Sequence, residues 1–268
     1  MDFPALKDNE FHLFQKLIFE IAGLSMNVTK KPLIGNRLAK RLRYYSLNTY
    51  LEYYEILIDK SNEEERQVFI DLLTTNETSF FREPIHFDFM KTNILNQTDV
   101  DNPFRVWSAA CSSGEEPYSI GMLLSDKLKS GKWEIVASDI SSRVLDKSKE
   151  GLYPIDKSSK IPDEYLKKYC LKGVKSKEGY FKISDSIRDN IQFKYINLNE
   201  PFPNLGKFSL VFLRNVMIYF DRETRIKLID QIASILNSGG YLFIGHSETL
   251  LEITNKLVMV RPTIYSKK

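Results

Sequence analysis

With 268 residues, 43% of them hydrophobic and 27% charged, the chain has an ordinary globular composition and room for one large and one small domain. No apolar run approaches the ~20 residues of a membrane span, and the N-terminus lacks a cleavage-like signal, so we expect a cytoplasmic protein without direct membrane insertion. The two cysteines are too few to predict a disulfide framework. No metal site is predicted either, because neither they nor the scattered His12, His86 and His246 have the spacing of metal ligands.

Residues 5–75 have the pattern of packed helices, with no alternating strand pattern. Apolar residues recur at helical intervals in two sets, which are Leu13, Leu17, Ile21 and Leu24, and then Tyr54, Ile58, Phe69, Leu72 and Leu73. An all-helical N-terminal part is therefore expected.

A basic segment lies inside this helical part, because no acidic residue occurs between positions 21 and 51. Its cations are Lys30, Lys31, Arg37, Lys40, Arg41 and Arg43. In a helix over 33–45, Ile34, Leu38, Leu42 and Tyr45 would share one face and Arg37, Lys40, Arg41 and Tyr44 another. Pattern alone favours a solvated basic face, while an acidic protein surface or nucleic acid are the functional alternatives. The near-neutral remainder of the chain speaks against general nucleic-acid binding.

A polar stretch at 74–84 then joins the helical part to a predicted sheet. Thr78 or Ser79 would cap a helix there, with Phe80 and Phe81 in the core. Arg82 directly follows these paired aromatics, so we expect its side chain to be held in place.

The segment 105–118 reads as a buried strand that breaks at Gly114 and turns into a helix reaching Leu128. Ser112 with Glu115, or Ser113 with Glu116, has capping-box spacing. A dinucleotide fingerprint is absent, which disfavours a pyrophosphate-binding loop. The two carboxylates either complement the helix N-terminus or face a ligand with cationic or hydroxyl groups.

A second strand over 134–139 ends in Asp139. This aspartate would either cap the helix starting at Ser141 or bind ribose hydroxyls. Its separation in sequence from the glycine turn favours ribose binding. Residues 152–190 read as an inserted hairpin or subdomain, and 191–198 as a returning strand. The apolar run 208–220 predicts a strand buried on both faces, interrupted at its carboxyl end by Arg214 and Asn215.

The pattern continues with a helix over 222–236 that stops at Asn237-Ser-Gly-Gly240. It ends with a strand over 241–248 and a final pair of strands, or a single long strand, over 257–265. This alternation predicts a mostly parallel sheet covered by helices. Ligands of such sheets bind at the carboxyl ends of the strands, where five polar side chains are expected, namely Glu116, Asp139, Asn197, Arg214 and Asn215.

Five motifs in this order resemble the CheR-type chemotaxis receptor glutamate methyltransferases. They are Asn76-Glu-Thr-Ser-Phe-Phe-Arg82, Val106-Trp-Ser-Ala-Ala-Cys-Ser-Ser-Gly-Glu-Glu-Pro-Tyr-Ser-Ile120, Ala137-Ser-Asp139, Phe212-Leu-Arg-Asn-Val-Met-Ile-Tyr-Phe220 and Gly245-His-Ser-Glu248. The resemblance implies a Rossmann-like α/β methyltransferase sheet with a small antiparallel β insertion and an N-terminal all-helical domain. It divides the chain into a receptor-docking domain (1–75), a linker contributing to the cofactor site (76–90) and a methyltransferase domain (91–268) with its insertion at about 155–190.

The same resemblance implies S-adenosylmethionine as methyl donor and S-adenosylhomocysteine as product. The residues it places at the cofactor are Asn76, Thr78, Arg82, Glu116, Asp139, Asn197, Leu198, Arg214 and Asn215. Arg82 would also orient the acceptor carboxylate and Tyr219 would offer a hydroxyl near the methyl group. The basic segment would dock acidic cytoplasmic helices of receptors. Cys111-Ser112 departs from the family's usual small residues, but cysteine is small enough for the turn.

A glutamate acceptor is already ionised at neutral pH, since its reference pKa is about 4.3, so catalysis needs alignment rather than a base. The resemblance further implies a monomeric enzyme recruited to receptor arrays at the inner face of the membrane, without nucleic acid. The alternatives are a catalytically idle cofactor-binding adaptor, a nicotinamide oxidoreductase, which would need the missing glycine-rich turn, and a nucleic-acid methyltransferase, which would need a longer basic groove.

Overall fold

The computed structural model describes residues 4–97, 103–128 and 133–268. Its first part is helical, as predicted, with helices α1 Asp8–Ala22, α2 Lys31–Tyr45, α3 Tyr50–Ile58 and α4 Glu63–Leu73. Glu10 in the first turn of α1 accepts the backbone N–H of Lys7 at 2.9 Å, and Gly23 ends this helix with a φ of 68°. None of the described helices is long and apolar enough to cross a lipid bilayer.

The rest of the chain alternates strands and helices. The strands are β1 Phe104–Ala109, β2 Trp133–Asp139, β3 Leu152–Pro154, β4 Cys170–Lys172, β5 Tyr180–Ile183, β6 Ile191–Tyr195, β7 Phe208–Leu213, β8 Leu236–Ile244, β9 Leu257–Arg261 and β10 Ile264–Lys267. The further helices are α5 Pro84–Phe89, α6 Glu115–Lys127, α7 Ser142–Glu150, α8 Asp163–Tyr169, α9 Asp185–Arg188 and α10 Arg222–Ile235.

Seven of these strands form the main sheet, in the order β6-β2-β1-β7-β8-β10-β9. The pairs from β6 to β8 are parallel, and the terminal hairpin of β9 and β10 adds antiparallel strands at one edge. Strand β1 lies in the middle of the five parallel strands, and the chain moves outward from it first toward β2 and β6 and later toward β7 and β8. The fold therefore has its topological switch point between β1 and β7, where α/β sheets bind ligands.

Both faces of the sheet are buried, which explains the continuous apolar runs in β1 and β7. On one face Trp107 packs in a core that also contains Phe14 of α1 and Leu228 of α10. On the other face Val106 packs with Phe212 and with Tyr118 of α6. The helical N-terminal part thus shares a core with the sheet, so its loops are held rigidly next to the strand ends.

Three local predictions are wrong. Thr78 and Ser79 cap no helix, since the helix after them is α5, whose N-cap is Glu83. Helix α6 begins at Glu115, and its N-cap is Gly114, with a φ of 93°. This cap carries no side-chain hydrogen bond, so neither predicted capping box forms. Helix α10 passes directly into β8 at Leu236, and the predicted glycine stop lies inside that strand. The pairing of β8 with β7 is irregular at this point, between Phe208 and Leu210, which accommodates the glycines as a distortion of the strand.

The inserted segment forms a separate antiparallel sheet in the order β3-β5-β4, as the hairpin pattern predicts. The hydroxyl of Tyr153 in β3 donates to the carbonyl of Ser113 at 2.6 Å. Lys157 forms an ion pair with the buried carboxylate of Glu115. These two contacts anchor the insertion to the turn that precedes α6.

Candidate functional site

A cavity of about 970 Å³, which includes its open mouth, lies at the carboxyl ends of the parallel strands. All nine residues that the sequence predicts at the cofactor line it, together with Tyr219. The loop between α1 and α2 forms a further wall, with Ala22, Leu24, Met26 and Lys30. The structure thus brings together side chains from the helical part, the linker and the sheet.

The turn between β1 and α6 lines this cavity, and its backbone is strained. Ala110, Ser112 and Gly114 all have positive φ angles, of 64°, 50° and 93°. Left-handed conformations at residues other than glycine cost on the order of 1–3 kcal/mol and persist only where surrounding contacts impose them. Here the hydroxyl of Ser112 donates to the carbonyl of Asn76 at 2.8 Å, which ties the turn to the linker. A Cβ atom at Gly114 would lie 2.7 Å from the Cβ atom of Ser148, so this position requires glycine.

Asp139 joins the turn to the end of β2. Its Oδ2 atom accepts the N–H of Ser112 at 2.8 Å and its Oδ1 atom accepts the N–H of Ser141 at 2.9 Å. Burial raises the pKa of Asp139, although these backbone N–H groups act against that rise. Because each carboxylate oxygen has two lone pairs, the side chain can hold the backbone and still accept hydroxyl groups of a ligand. The two alternatives for Asp139, support of the following helix and ribose binding, are therefore compatible.

Glu116 and Arg214 belong to a buried ion cluster beside the cavity. Arg214, with a side chain only 2% exposed, contacts Glu116 Oε2 at 3.0 Å and Glu83 Oε2 at 3.1 Å. Its Nη2 atom also donates to the carbonyl of Arg82 at 2.5 Å, and Ser108 donates to Glu116 Oε1 at 2.7 Å. Burial raises the pKa of Glu116, while Arg214 opposes this. The guanidinium therefore braces the linker against α6 rather than projecting freely into the cavity.

Asn197 has most of its hydrogen-bonding capacity occupied within the protein. Its Nδ2 atom donates to the carbonyl of Ile21 at 2.7 Å and to Glu200 at 3.0 Å. Its Oδ1 atom accepts the N–H of Asn199 at 3.1 Å. Asn197 thus fixes the end of α1 against the cavity, and with Leu198 it presents mainly backbone and apolar surface to a ligand.

Asn215 lies at the carboxyl end of β7 with a φ of 58°. Oε2 of Glu248 holds it by accepting the N–H of Asn215 at 3.0 Å and that of Gly245 at 2.6 Å. A Cβ atom at Gly245 would lie 2.5 Å from Nδ2 of Asn215, so the close approach needs glycine. The sequence pattern predicted no role for Glu248, which stands in the last of the five motifs, or for Glu83, which directly follows the first.

The remaining cationic groups near the cavity are Arg82 and Lys30. Arg82 is half-buried, and its Nη1 atom donates to the carbonyl of Glu77 at 3.1 Å, so it is held as predicted. The ammonium of Lys30 lies 5.1 Å from the ring centre of Tyr219. The carbonyl of Tyr219 accepts the N–H of Ser25 at 2.8 Å, which fixes it to the α1–α2 loop.

The other predicted docking cations do not form one uniform surface. Nη1 of Arg37 donates to the carbonyls of residues 72–74, with the closest contact 2.9 Å. Arg41 forms a two-pronged ion pair with the buried Glu65. Lys31 pairs with Asp8. Lys40 and Arg43 lie on the exposed surface of α2. The guanidinium groups of Arg37 and Arg41 thus hold α4 against α2, and the docking role of the six cations stays a prediction.

Comparison with known proteins matches both parts of the chain to one family. The family model "CheR methyltransferase, SAM binding domain" matches residues 76–266, and "CheR methyltransferase, all-alpha domain" matches residues 9–74. The chemotaxis protein methyltransferase of Salmonella typhimurium is 36% identical over 265 residues, covering 98% of this chain and 91% of its own length. Chemotaxis protein methyltransferase 2 of Pseudomonas aeruginosa is 36% identical over 98% of this chain and 97% of its own length. The corresponding values for the Escherichia coli chemotaxis protein methyltransferase are 35%, 98% and 92%.

These matches cover nearly the whole chain and agree with the predicted order of a helical domain followed by a methyltransferase sheet. The chain therefore belongs to the CheR methyltransferase family and is an S-adenosylmethionine-dependent methyltransferase.

Proposed function

We propose that this protein methylates glutamate side chains on the cytoplasmic helices of chemotaxis receptors, forming glutamyl methyl esters. The observation that carries the proposal is the gathering of nine predicted cofactor residues and Tyr219 around one cavity at the strand ends. Residues 1–75 would form the receptor-docking domain, 76–90 the linker that completes the cofactor site, and 91–268 the methyltransferase domain, with its insertion at about 155–190.

The cavity suits a nucleoside that carries a sulfonium group and an amino acid. Its lining combines polar and apolar side chains, as small-molecule sites usually do. Asp139 offers free acceptor positions for ribose hydroxyls, and Ile140, Ile196 and Leu198 supply apolar lining for a base. When bound, S-adenosylmethionine supplies an electrophilic methyl group. The protein has to bind it, exclude water and leave one direction open to the acceptor.

The residues around the cavity favour an acceptor that is already charged. No histidine occurs among the described residues lining it, and burial raises the pKa of Cys111 well above its ordinary value, so that this residue remains a thiol. A glutamate carboxylate needs no base, because its reference pKa is about 4.3. Arg82 would orient that carboxylate by a charge-assisted hydrogen bond, and the hydroxyl of Tyr219 would approach the reacting methyl group.

We further propose that the acidic receptor helix docks on α2, where Lys40 and Arg43 are exposed and Lys30 extends the positive charge to the cavity. Arg37 and Arg41 would contribute indirectly, by keeping α2 in position. The protein would act as a cytoplasmic monomer that is recruited to receptor arrays.

A transfer assay tests this proposal. The protein is incubated with methyl-labelled S-adenosylmethionine and receptor cytoplasmic fragments, and glutamyl esters are recognised by the release of label as methanol in mild base. Base-stable label would contradict the glutamate acceptor. Tight binding of S-adenosylhomocysteine without any transfer would instead support the idle adaptor, which the similarity to named methyltransferases does not favour.

A further inference from the structure

Two histidines that lie far apart in the sequence meet a glutamate next to the ion cluster. Glu83 and His86 stand at the start of α5, and His246 follows the end of β8. The ring centres of His86 and His246 are 5.8 Å apart. Oε2 of Glu83 lies 3.5 Å from Nδ1 of His86 and 3.9 Å from Nε2 of His246. One possible ligand atom from each of the three lies within 4.8 Å of the others. Among the described residues, this is the group of histidine and carboxylate side chains that could hold a metal ion.

The hydrogen bonds of His86 leave one of its ring nitrogens without a partner. The hydroxyl of Thr263 donates to the carbonyl of Pro262 at 2.6 Å, so its oxygen accepts from Nε2 of His86 at 2.8 Å. His86 is fully buried, where a charged ring with an unpaired nitrogen would be costly. The ring is therefore neutral with its proton on Nε2. Its Nδ1 atom keeps a lone pair and has no hydrogen-bond partner.

This lone pair faces a second electron-rich atom. Oε2 of Glu83 accepts from Nε of Arg214 at 3.3 Å and lies 3.1 Å from its Nη2 atom, as an ionised carboxylate does. A bare nitrogen lone pair and a carboxylate oxygen 3.5 Å apart repel each other unless a cation lies between them. The nearby cation Arg214 is shared by two carboxylates, Glu83 and Glu116.

The dimensions fit a small divalent metal. Ligand atoms bound tetrahedrally to zinc at ~2.0–2.2 Å stand about 3.4 Å from one another. The 3.5 Å between Glu83 and His86 already matches this spacing, and movement of the exposed His246 ring, with 58% of its side chain accessible, would close the remaining distances. Nε2 of His86 is already oriented by Thr263, in the way that outer hydrogen bonds orient metal-ligating histidines.

We propose that Glu83, His86 and His246 bind a divalent transition metal of the zinc class, with water completing a four-coordinate shell. Two imidazoles and one carboxylate with an open position form a ligand set typical of zinc. The metal would link the linker directly to the turn after β8. It thereby stabilises two segments that border the cavity, without being required for methyl transfer. The proposal is independent of the acceptor that the enzyme uses.

Co²⁺ serves as the spectroscopic probe, because its visible absorption distinguishes four-coordinate from hydrated ions, and Zn²⁺ serves as its competitor. The full chain is compared with His246→Ala, an exposed substitution, and with His12→Ala as the matched control, because His12 is exposed and far from the cluster. We expect one equivalent of Co²⁺ to produce four-coordinate bands that Zn²⁺ abolishes, in the wild type and in His12→Ala alike. In His246→Ala the affinity should fall at least tenfold.

Thermal unfolding provides a second readout. Zn²⁺ should raise the melting temperature of the wild type and of His12→Ala, and much less that of His246→Ala, because a ligand stabilises the folded state that binds it. Equal metal affinity in wild type and His246→Ala would overturn the proposal. Exclusively hydrated Co²⁺ spectra in the wild type would overturn it as well.

Discussion

Replacing Asp139 with asparagine separates the support that this residue gives to the fold from its proposed role in cofactor binding. Its two carboxylate oxygens accept the N–H groups of Ser112 and Ser141 at 2.8 and 2.9 Å. Asparagine has one carbonyl oxygen, so its amide group would face one of these donors. A buried donor left without a partner costs about 1–3 kcal/mol. Since ~1 kcal/mol shifts the melting temperature of a protein of this size by about 2–4 °C, we expect a decrease of roughly 2–12 °C without ligand.

The effect on binding is a separate quantity. If Asp139 accepts ribose hydroxyls, the substitution also removes hydrogen bonds to a charged group, each worth about 1.5–3 kcal/mol. With ~1.4 kcal/mol per factor of ten, the affinity for S-adenosylhomocysteine should fall roughly ten- to hundredfold. Isothermal calorimetry below the melting transition measures this on folded protein. The matched control is Asp221→Asn, since Asp221 caps α10 through the N–H of Thr224 and does not line the cavity.

A lower melting temperature with affinity within twofold of wild type would refute ribose binding by Asp139 and leave it a structural role. The pH dependence gives an independent check. Because burial raises the pKa of Asp139, its carboxylate is protonated at a higher pH than the ~3.9 of an ordinary aspartate. The affinity of the wild type should therefore weaken as the pH falls through that raised pKa. This component should be absent in Asp139→Asn.

Three further changes test the acceptor, the strand-end geometry and the docking surface. Arg82→Ala should lower methyl transfer by well over tenfold with the fold intact, and activity within a few-fold of wild type would remove Arg82 from the mechanism. Gly245→Ala places a Cβ atom 2.5 Å from Asn215, so it should cost about 1–3 kcal/mol in unfolding free energy and weaken cofactor binding; unchanged thermal unfolding would contradict this. Lys40→Ala should reduce receptor affinity about two- to fivefold and lessen its salt dependence, whereas Lys147→Ala on α7 should change neither.

The parts of the site that follow from strand order were predictable from the sequence. Asp139 and Arg214 each end a strand, and the carboxyl ends of parallel strands lie at the same edge of a sheet. That rule needs no knowledge of distant contacts. It places residues 75 positions apart in one cavity, because local patterns identify each strand separately.

The contacts made by these side chains were not predictable in the same way. Glu83 meets Arg214, and His86 meets His246, across more than 130 positions, and no local pattern specifies either pair. The apparent docking residue Arg41 is a further example, since its charge is neutralised by Glu65 of another helix. Periodicity identifies the face of a helix on which a cation lies, but not the residue opposite it.

The α1–α2 loop gives a physical reason why a helical domain accompanies the methyltransferase sheet. The N–H of Ser25 in this loop donates to the carbonyl of Tyr219, and Asn197 donates to the carbonyl of Ile21 at the end of α1. Both the loop and the helix end are therefore held against the cavity. Helix α2 begins at Lys31, one residue after Lys30 at the cavity. A receptor helix docked on α2 would therefore hold its glutamates beside the bound methyl donor, where proximity raises their effective concentration. Selectivity can then come from the docking helix, with no pocket for the glutamate side chain itself.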